Sequence, residues 1–230
     1  MSEKLRPFYD KTVKCPVCSF TYTTTKVRSR FIRVEKIEAD FFTKYKDEEL
    51  NPVFYEVSVC KKCGYAFADT FSNSFSPTII DSIKSKITNK WKERDFGSER
   101  TIQQVIDTYK LAILSGSIKQ ETSVVLAGIS LRLAWLYRII KIKEQEHRFL
   151  KLSLENYKNS YANSDYSGTQ MTEMRLFYLI GELSRQIGDR DGAVKFFSKV
   201  INHKNRSMES KLVEMAREQW YLIRENDKVI

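Results

Sequence analysis

The chain has 230 residues and a mass of 27.0 kDa, which allows one large domain or two small ones. Hydrophobic residues make up 42% and charged residues 30%, a balance that excludes a disordered or membrane-embedded chain. Lys and Arg number 39 against 29 Asp and Glu, so the net charge is a moderate +10. No stretch reaches the roughly 20 apolar residues of a membrane span, and the first residues lack the apolar core of a secretory signal. We expect a cytoplasmic protein that does not contact a membrane.

Residues 1–75 have the composition of a small β-rich module. Three stretches are rich in β-branched and aromatic residues, which is typical of strands: Phe20–Thr25, Val27–Ile37 and Val53–Val59. Ser76 followed by Pro77 is a typical helix start, with an N-cap and a proline at the first helical position. The module is therefore predicted to end at residue 75.

Residues 76–230 show apolar residues at helical spacing throughout. The pattern predicts about seven helices in antiparallel pairs, over residues 77–91, 98–116, 122–142, 146–161, 171–187, 191–201 and 207–224. The helix over 122–142 is apolar on most of its circumference, so we expect it to be central.

One segment of this helical part, Met174–Asn205, is similar to a tetratricopeptide repeat, a helix–turn–helix of about 34 residues. Its small and apolar residues include Gly181, Ala193 and Phe197, which would let two helices approach closely. Leu131–Ser164 is a weaker copy. Helical spacing alone does not separate such a repeat from an irregular helical bundle, so that alternative stays open.

The cysteines form two C-x-x-C pairs, Cys15 with Cys18 and Cys60 with Cys63. Two intervening residues let a tight turn direct both sulfurs at one ion, and Gly64 gives the second turn a permissive backbone. Four thiolates complete a tetrahedral shell, which predicts one structural Zn²⁺ in a zinc-ribbon-like arrangement. A redox dithiol or an iron–sulfur cluster is the alternative.

The first 36 residues carry Lys and Arg well in excess of Asp and Glu. Lys26, Arg28 and Arg30 alternate, so on a strand they would share one face. Such a face suits nucleic acid, although a solvated strand face explains the same pattern.

Four charged residues lie on otherwise apolar helices: Arg132, Arg138, Glu182 and Arg185. They are candidates for a groove that grips an acidic partner segment, and internal ion pairs are the alternative. The sequence contains no phosphate-binding glycine loop, zinc-protease motif or nucleophile elbow, so we expect no catalytic activity.

Three blocks together resemble the bacterial family, mostly from Firmicutes, catalogued as domain of unknown function 2225; they are Asn51–Ala66, Leu126–Arg138 and Tyr178–Leu183. The resemblance extends from about Cys15 to Ile201. Lys61 stands where proline is common in the family, which leaves the thiolates unaffected. The resemblance implies a zinc-ribbon-like head and a repeat-type helical body, and it implies no activity.

The predicted fold is α+β and mainly α, with a zinc-ribbon-like module over 1–75 and a tetratricopeptide-like helical domain over 76–230. The function hypothesis is a non-catalytic zinc protein whose helical repeats bind a protein or peptide. The alternative is a nucleic-acid-binding protein that acts through the basic head.

Overall fold

The computed structural model describes residues 5–225, and in that range the chain has six strands followed by seven α-helices. The strands are β1 (Phe8–Lys14), β2 (Thr21–Val27), β3 (Val34–Ile37), β4 (Thr43–Tyr45), β5 (Ser58–Val59) and β6 (Ala66–Phe67). The helices are α1 (Pro77–Lys86), α2 (Ile102–Lys119), α3 (Ser123–Ile139), α4 (Lys143–Asn163), α5 (Glu173–Gln186), α6 (Arg190–Ile201) and α7 (Ser210–Glu225). The predicted class, mainly α with a small β part, is confirmed.

The chain divides into two compact units. Among the described residues, unit 1 comprises 5–38 and 43–121, and unit 2 comprises 39–42 and 122–225. This division differs from the predicted boundary after residue 75, because α1 and α2 belong with the strands. Ile83 and Ile87 of the α1 region pack in the same buried cluster as the cysteines, and Ser115 of α2 accepts a hydrogen bond from the backbone N–H of Ala66.

The strands of unit 1 form three separate antiparallel pairs: β1 with β2, β3 with β4, and β5 with β6. Strand β1 is absent from the sequence prediction because most of its side chains are polar and exposed. The predicted strand Val53–Val59 is wrong except at β5. Pro52–Tyr55 instead form a 3₁₀-helix, since the Asn51 side chain caps the N–H of Val53 at 3.0 Å and Pro52 favours a helical start.

Helix α1 begins at the N-cap that the sequence predicts, whereas α2 begins at Ile102, later than the predicted residue 98. Ser76 caps α1 by accepting the N–H of Ile79 at 3.2 Å. Thr101 and Gln104 form a reciprocal capping box at the start of α2. The first predicted helix is too long, because α1 ends at Lys86 and Trp91 follows a separate 3₁₀-turn.

The helices of unit 2 pack mainly against their neighbours in the chain, α3 on α4, α4 on α5, α5 on α6 and α6 on α7. Gly181 of α5 lies where a Cβ would come within 2.9 Å of the Phe197 ring on α6. Ala193 and Phe197 are fully buried beside it. The small residue at position 181 therefore allows the close approach of α5 and α6. No helix among residues 5–225 combines the length and apolar character needed to cross a membrane.

Candidate metal centre

Each C-x-x-C pair lies in the turn of a β-hairpin. Cys15 directly follows β1, and the chain returns in β2, while Cys60 directly follows β5, and the chain returns in β6. The Cys15 carbonyl accepts the N–H of Ser19 at 2.9 Å, and the Cys60 carbonyl accepts the N–H of Gly64 at 2.8 Å. The two turns are thus built alike.

The second half of each turn repeats this likeness. The Cys15 N–H donates to the Phe20 carbonyl and the Cys60 N–H to the Tyr65 carbonyl, both at 2.9 Å. Ser19 and Gly64 hold the same left-handed position, with φ of 58° and 75°. Glycine takes this conformation without strain, whereas serine takes it at a cost.

The two turns bring all four sulfurs together. The Sγ atoms of Cys15, Cys18, Cys60 and Cys63 lie within 4.8 Å of one another. The Sγ–Sγ distance is 3.6 Å between Cys15 and Cys63, and also 3.6 Å between Cys18 and Cys60. All four are free thiols, and Cys18 is the one that is not fully buried. This group of four can hold one metal ion.

The thiols also perturb one another's ionisation. Contact with Cys60, together with burial, raises the pKa of Cys15 to about 12. Contact with Cys15 and Cys63 lowers the pKa of Cys60 to about 2. These thiols therefore titrate as one coupled set and not as independent groups.

Residues outside the hairpins complete the surroundings of the cluster. Trp91 donates its Nε1–H to the Lys61 carbonyl at 2.7 Å, and its ring lies 2.5 Å from where a Cβ on Gly64 would be. Thr88 donates its hydroxyl to the Cys63 carbonyl at 3.2 Å. Sequence reasoning places Trp91 on a helix and misses this role, for which the sequence carries no local signal.

The three basic candidates do not share one face of a strand, so the predicted arrangement is wrong, while nucleic-acid contact itself stays a prediction. Strand β2 ends at Val27, and Ser29–Phe31 form a 3₁₀-turn. Lys26 donates to the Tyr55 carbonyl at 2.6 Å, and burial lowers its pKa. Arg28 stacks on Tyr9, and Arg30 stacks on Phe31. The alternative function, nucleic-acid binding, is therefore supported only by the basic composition of this region.

The four helix charges proposed for a groove lie in intramolecular contacts of unit 2. Arg185 pairs with the fully buried Glu182 at 2.7 Å, and Gln186 donates to Glu182 at 2.8 Å. Arg138 donates to Gln186 at 3.0 Å, so three of the four candidates belong to one network. The fourth, Arg132, donates to the Gly128 carbonyl at 3.1 Å.

The acid at the centre of this network is Asp40, which sequence reasoning missed. Its carboxylate is fully buried and accepts 2.7 and 3.2 Å hydrogen bonds from Arg138. Arg138 also pairs with Glu146 at 2.6 Å. Burial lowers the pKa of Arg138, but its bonds to Asp40 and Glu146 outweigh this and raise the pKa above its ordinary value.

The architecture defines a class: a mainly helical protein with a cluster of four cysteines held by two hairpin turns in a small β part. Residues 8–223 match the family described as "Uncharacterized protein conserved in bacteria (DUF2225)", and the chain belongs to that family. The resemblance seen in the sequence is thereby confirmed.

A relative from Borreliella burgdorferi, described as "Uncharacterized protein", is 25% identical over 167 residues. The aligned part covers 64% of this chain and 58% of the relative, so the chain spans less than two thirds of that protein's length. No solved structure matches the chain.

Proposed function

We propose that this is a cytoplasmic, non-catalytic zinc protein in which one Zn²⁺ stabilises unit 1 and the helices of unit 2 bind a protein or peptide segment. The observation that carries the proposal is the convergence of four Sγ atoms from two matching hairpin turns. Each part of the proposal has its own support and its own experiment.

The sulfur geometry suits zinc. A tetrahedral Zn²⁺ with Zn–S bonds of about 2.3 Å has its sulfurs about 3.8 Å apart. The 3.6 Å distances and the 4.8 Å limit of the cluster bracket that value. Backbone N–H groups of Val17 and Cys18 point at the Cys15 sulfur and those of Cys63 and Tyr65 at the sulfurs of Cys60 and Cys63, which favours thiolates.

A four-thiolate shell supports a structural role for the ion. Catalytic zinc sites keep one coordination position for water or substrate, whereas four protein ligands fill a tetrahedral shell. Three of the four cysteines are buried, and the cluster packs against Tyr22, Tyr65 and Ile83. The ion would therefore replace part of the hydrophobic core that a small β module lacks.

The helix order of unit 2 supports a repeat-type binding scaffold. Repeat proteins stack helix pairs so that each contacts its neighbours, and they bind partners on the surface this creates. Contacts between successive helices dominate unit 2, and the Gly181–Phe197 contact has the small-residue approach of a tetratricopeptide repeat.

The metal is tested by measuring zinc and iron in the purified full chain by plasma mass spectrometry. We expect one zinc per chain in the wild type and in Lys62→Ser, which changes an exposed non-ligand between two cysteines. Cys63→Ser should lose the zinc. A folded wild-type chain without metal, or with iron and sulfide, would contradict the zinc assignment.

Partner binding is tested by affinity capture from a cell extract with the tagged full chain. We expect at least one protein to be enriched over an unrelated bait and to be displaced by excess untagged chain. If no protein meets both criteria, unit 2 is not a binding scaffold under those conditions, whatever the metal content.

A further inference from the structure

Four residues from the early part of the chain, Ala39–Phe42, belong to unit 2, although the residues on both sides of them belong to unit 1. They form the tip of the β3–β4 hairpin. Within unit 2 this tip lies against α3 and α5, which are the first helices of two successive antiparallel pairs.

The acidic residue of the tip is held by side chains of α3. Asp40 receives two hydrogen bonds from the Arg138 guanidinium and a third from Trp135 Nε1 at 3.0 Å. Its carboxylate is fully buried, and Gln186 of α5 accepts another hydrogen bond from Arg138. A buried carboxylate gripped by both arms of an arginine is a specific form of acid recognition.

The two phenylalanines of the tip contact aromatic residues on each helix. The ring centroids of Phe42 and Trp135 of α3 are 5.9 Å apart, and those of Phe41 and Tyr178 of α5 are 5.5 Å apart. The guanidinium of Arg175 stacks on Phe41 at 4.7 Å. Tyr178 also donates its hydroxyl to the Ala39 carbonyl at 2.9 Å.

The tip is therefore seated in the way that a short peptide ligand would be. The tip contacts α3 and α5 through one carboxylate, two aromatic rings and one backbone carbonyl. Arg138 places positive charge against the Asp40 carboxylate, and Arg175 places positive charge over the face of the Phe41 ring.

The tip adopts its conformation under strain. Phe41 has φ of 67°, in the left-handed region that bulky residues rarely adopt. Such a conformation carries a free-energy cost and persists only where its surroundings hold it. A separate peptide of the same chemistry, free to place its two rings without this constraint, would not carry that cost.

We infer that this surface of α3 and α5, defined by Trp135, Arg138, Arg175, Tyr178 and Gln186, is a recognition site for a partner segment with a carboxylate followed by two aromatic side chains. Ala39–Phe42 is the chain's own occupant of the site and competes with the partner. This inference rests on the binding role proposed for unit 2 and does not depend on the metal.

Competition between the tip and an added peptide can be measured. The apparent affinity for a peptide is reduced by the fraction of molecules in which the tip occupies the site. Weakening the tip therefore strengthens binding of the added peptide, whereas weakening the receptor side chains abolishes it.

The experiment measures fluorescence anisotropy of a labelled synthetic peptide with the sequence of residues 37–44, titrated with the zinc-loaded full chain. Asp40→Asn keeps the shape of the tip but removes its charge, and we expect it to bind the peptide at least about tenfold more tightly than the wild type. A peptide with asparagine in place of its aspartate should bind about tenfold more weakly. Adding Arg138→Lys to Asp40→Asn should remove binding, because lysine lacks the bidentate fork.

Phe42→Ala is a second tip variant, used with Asp40→Asn so that the conclusion does not depend on one protein; thermal melting confirms that each is folded. Equal peptide affinity in the wild type and both folded variants would overturn the inference, as would binding insensitive to the peptide's aspartate. A dimer seen by light scattering in which tips are exchanged would also overturn it, since a second copy would then be the occupant. A captured partner that still binds Asp40→Asn/Arg138→Lys would leave unit 2 as a scaffold and refute only this site.

Discussion

In unit 1 the strands come in three separate pairs, whereas in unit 2 successive helices pack against one another and bury many apolar side chains. An isolated two-stranded hairpin is at best marginally stable in water. The turns that close two of the three pairs carry the four cysteines. We therefore expect the order of these two hairpins to depend in part on what joins the sulfurs.

Unit 2 contains no such cysteine cluster among the residues that the structure describes. Large side chains of α3, α5 and α6 are fully buried, among them Leu133, Leu136, Leu176, Ile180 and Phe197. Each such side chain stabilises the folded state by about 1.5–3 kcal/mol. Unit 1 also buries large side chains, among them Ile106 and Tyr109. The comparison therefore sets a unit in which we propose that a metal acts beside burial against a unit held by burial alone, and the following predictions test it.

The largest effect is expected from Cys63→Ser. Apparent zinc-binding free energies in small zinc modules are about 10–16 kcal/mol, so losing one ligand should unfold unit 1. Circular dichroism at 222 nm should fall only in part, because α1 and α2 belong to unit 1 while α3–α7 belong to unit 2. Lys62→Ser is the matched control and should keep both metal and signal.

A complete loss of helical signal in Cys63→Ser would break the comparison, because it would make unit 2 dependent on the metal as well. Chelation of the wild-type chain should give the same partial loss, and adding zinc back should restore it.

The next effect is expected from Gly181→Leu in unit 2. Even a Cβ at this position would lie 2.9 Å from Phe197, so a leucine should force α5 and α6 apart. Overpacking of this kind costs about 1–3 kcal/mol or more. Urea unfolding followed by circular dichroism should show the lower midpoint, with the zinc content unchanged.

Gly128→Ala is the control, because its Cβ would meet only the flexible Arg132 side chain at 3.2 Å. Alanine favours a helix over glycine by about 0.5–1 kcal/mol, so this variant should be neutral or more stable. Equal losses of unfolding free energy in both variants would mean that the close approach of α5 and α6 at Gly181 does not explain the effect.

The helices could be predicted well because their signals are local. Ser76, Thr101 and Thr172 cap the helices that follow them, and apolar spacing marks each helix along its length. The strands could not be predicted as well, because a strand forms only with a partner strand elsewhere in the chain. Strand β1 has little apolar pattern of its own, and Asn51 with Pro52 turns a β-rich stretch into a 3₁₀-helix.

A smaller effect tests the likeness of the two cysteine turns. Gly64→Ala should destabilise unit 1, because alanine at φ of 75° costs about 1–2 kcal/mol and its Cβ displaces Trp91. Ser19 holds the same position in the other turn, so Ser19→Gly should change the free energy of unfolding by less than about 1 kcal/mol. Urea unfolding of the zinc-loaded chains, followed by Trp fluorescence, measures both; a larger loss for Ser19→Gly would show that the turns are not equivalent.

The cluster of four cysteines could be predicted from the sequence, because both pairs have the C-x-x-C spacing and this spacing is typical of a tight turn. Asp40 was not readable, because its partner Arg138 lies 98 positions away and no motif links them. The sequence does show that charges on apolar helices need partners, but only the fold identifies which acid arrives there.

The smallest effect concerns the cap of α6 in unit 2. Asp189 accepts the N–H of Gly192 at 2.9 Å, and this hydrogen bond lowers the pKa of Asp189 below its usual range. Asp189→Ala should cost about 1 kcal/mol near neutral pH. Because the folded state has the lower pKa, the contribution is present above the pKa of the unfolded chain and is lost as pH falls through the folded value.

Asp189→Asn separates the cap from the charge, since asparagine caps helices about as well as aspartate. Near neutral pH this variant should be about as stable as the wild type. Below about pH 4 the wild type loses stability as Asp189 is protonated, and the variant should lose less. Thermal melting of unit 2 between pH 3 and pH 7 measures the difference. Identical acid profiles for Asp189→Asn and the wild type would assign the acid sensitivity of unit 2 to other carboxylates, such as Glu173, whose pKa the hydrogen bond from His203 also lowers.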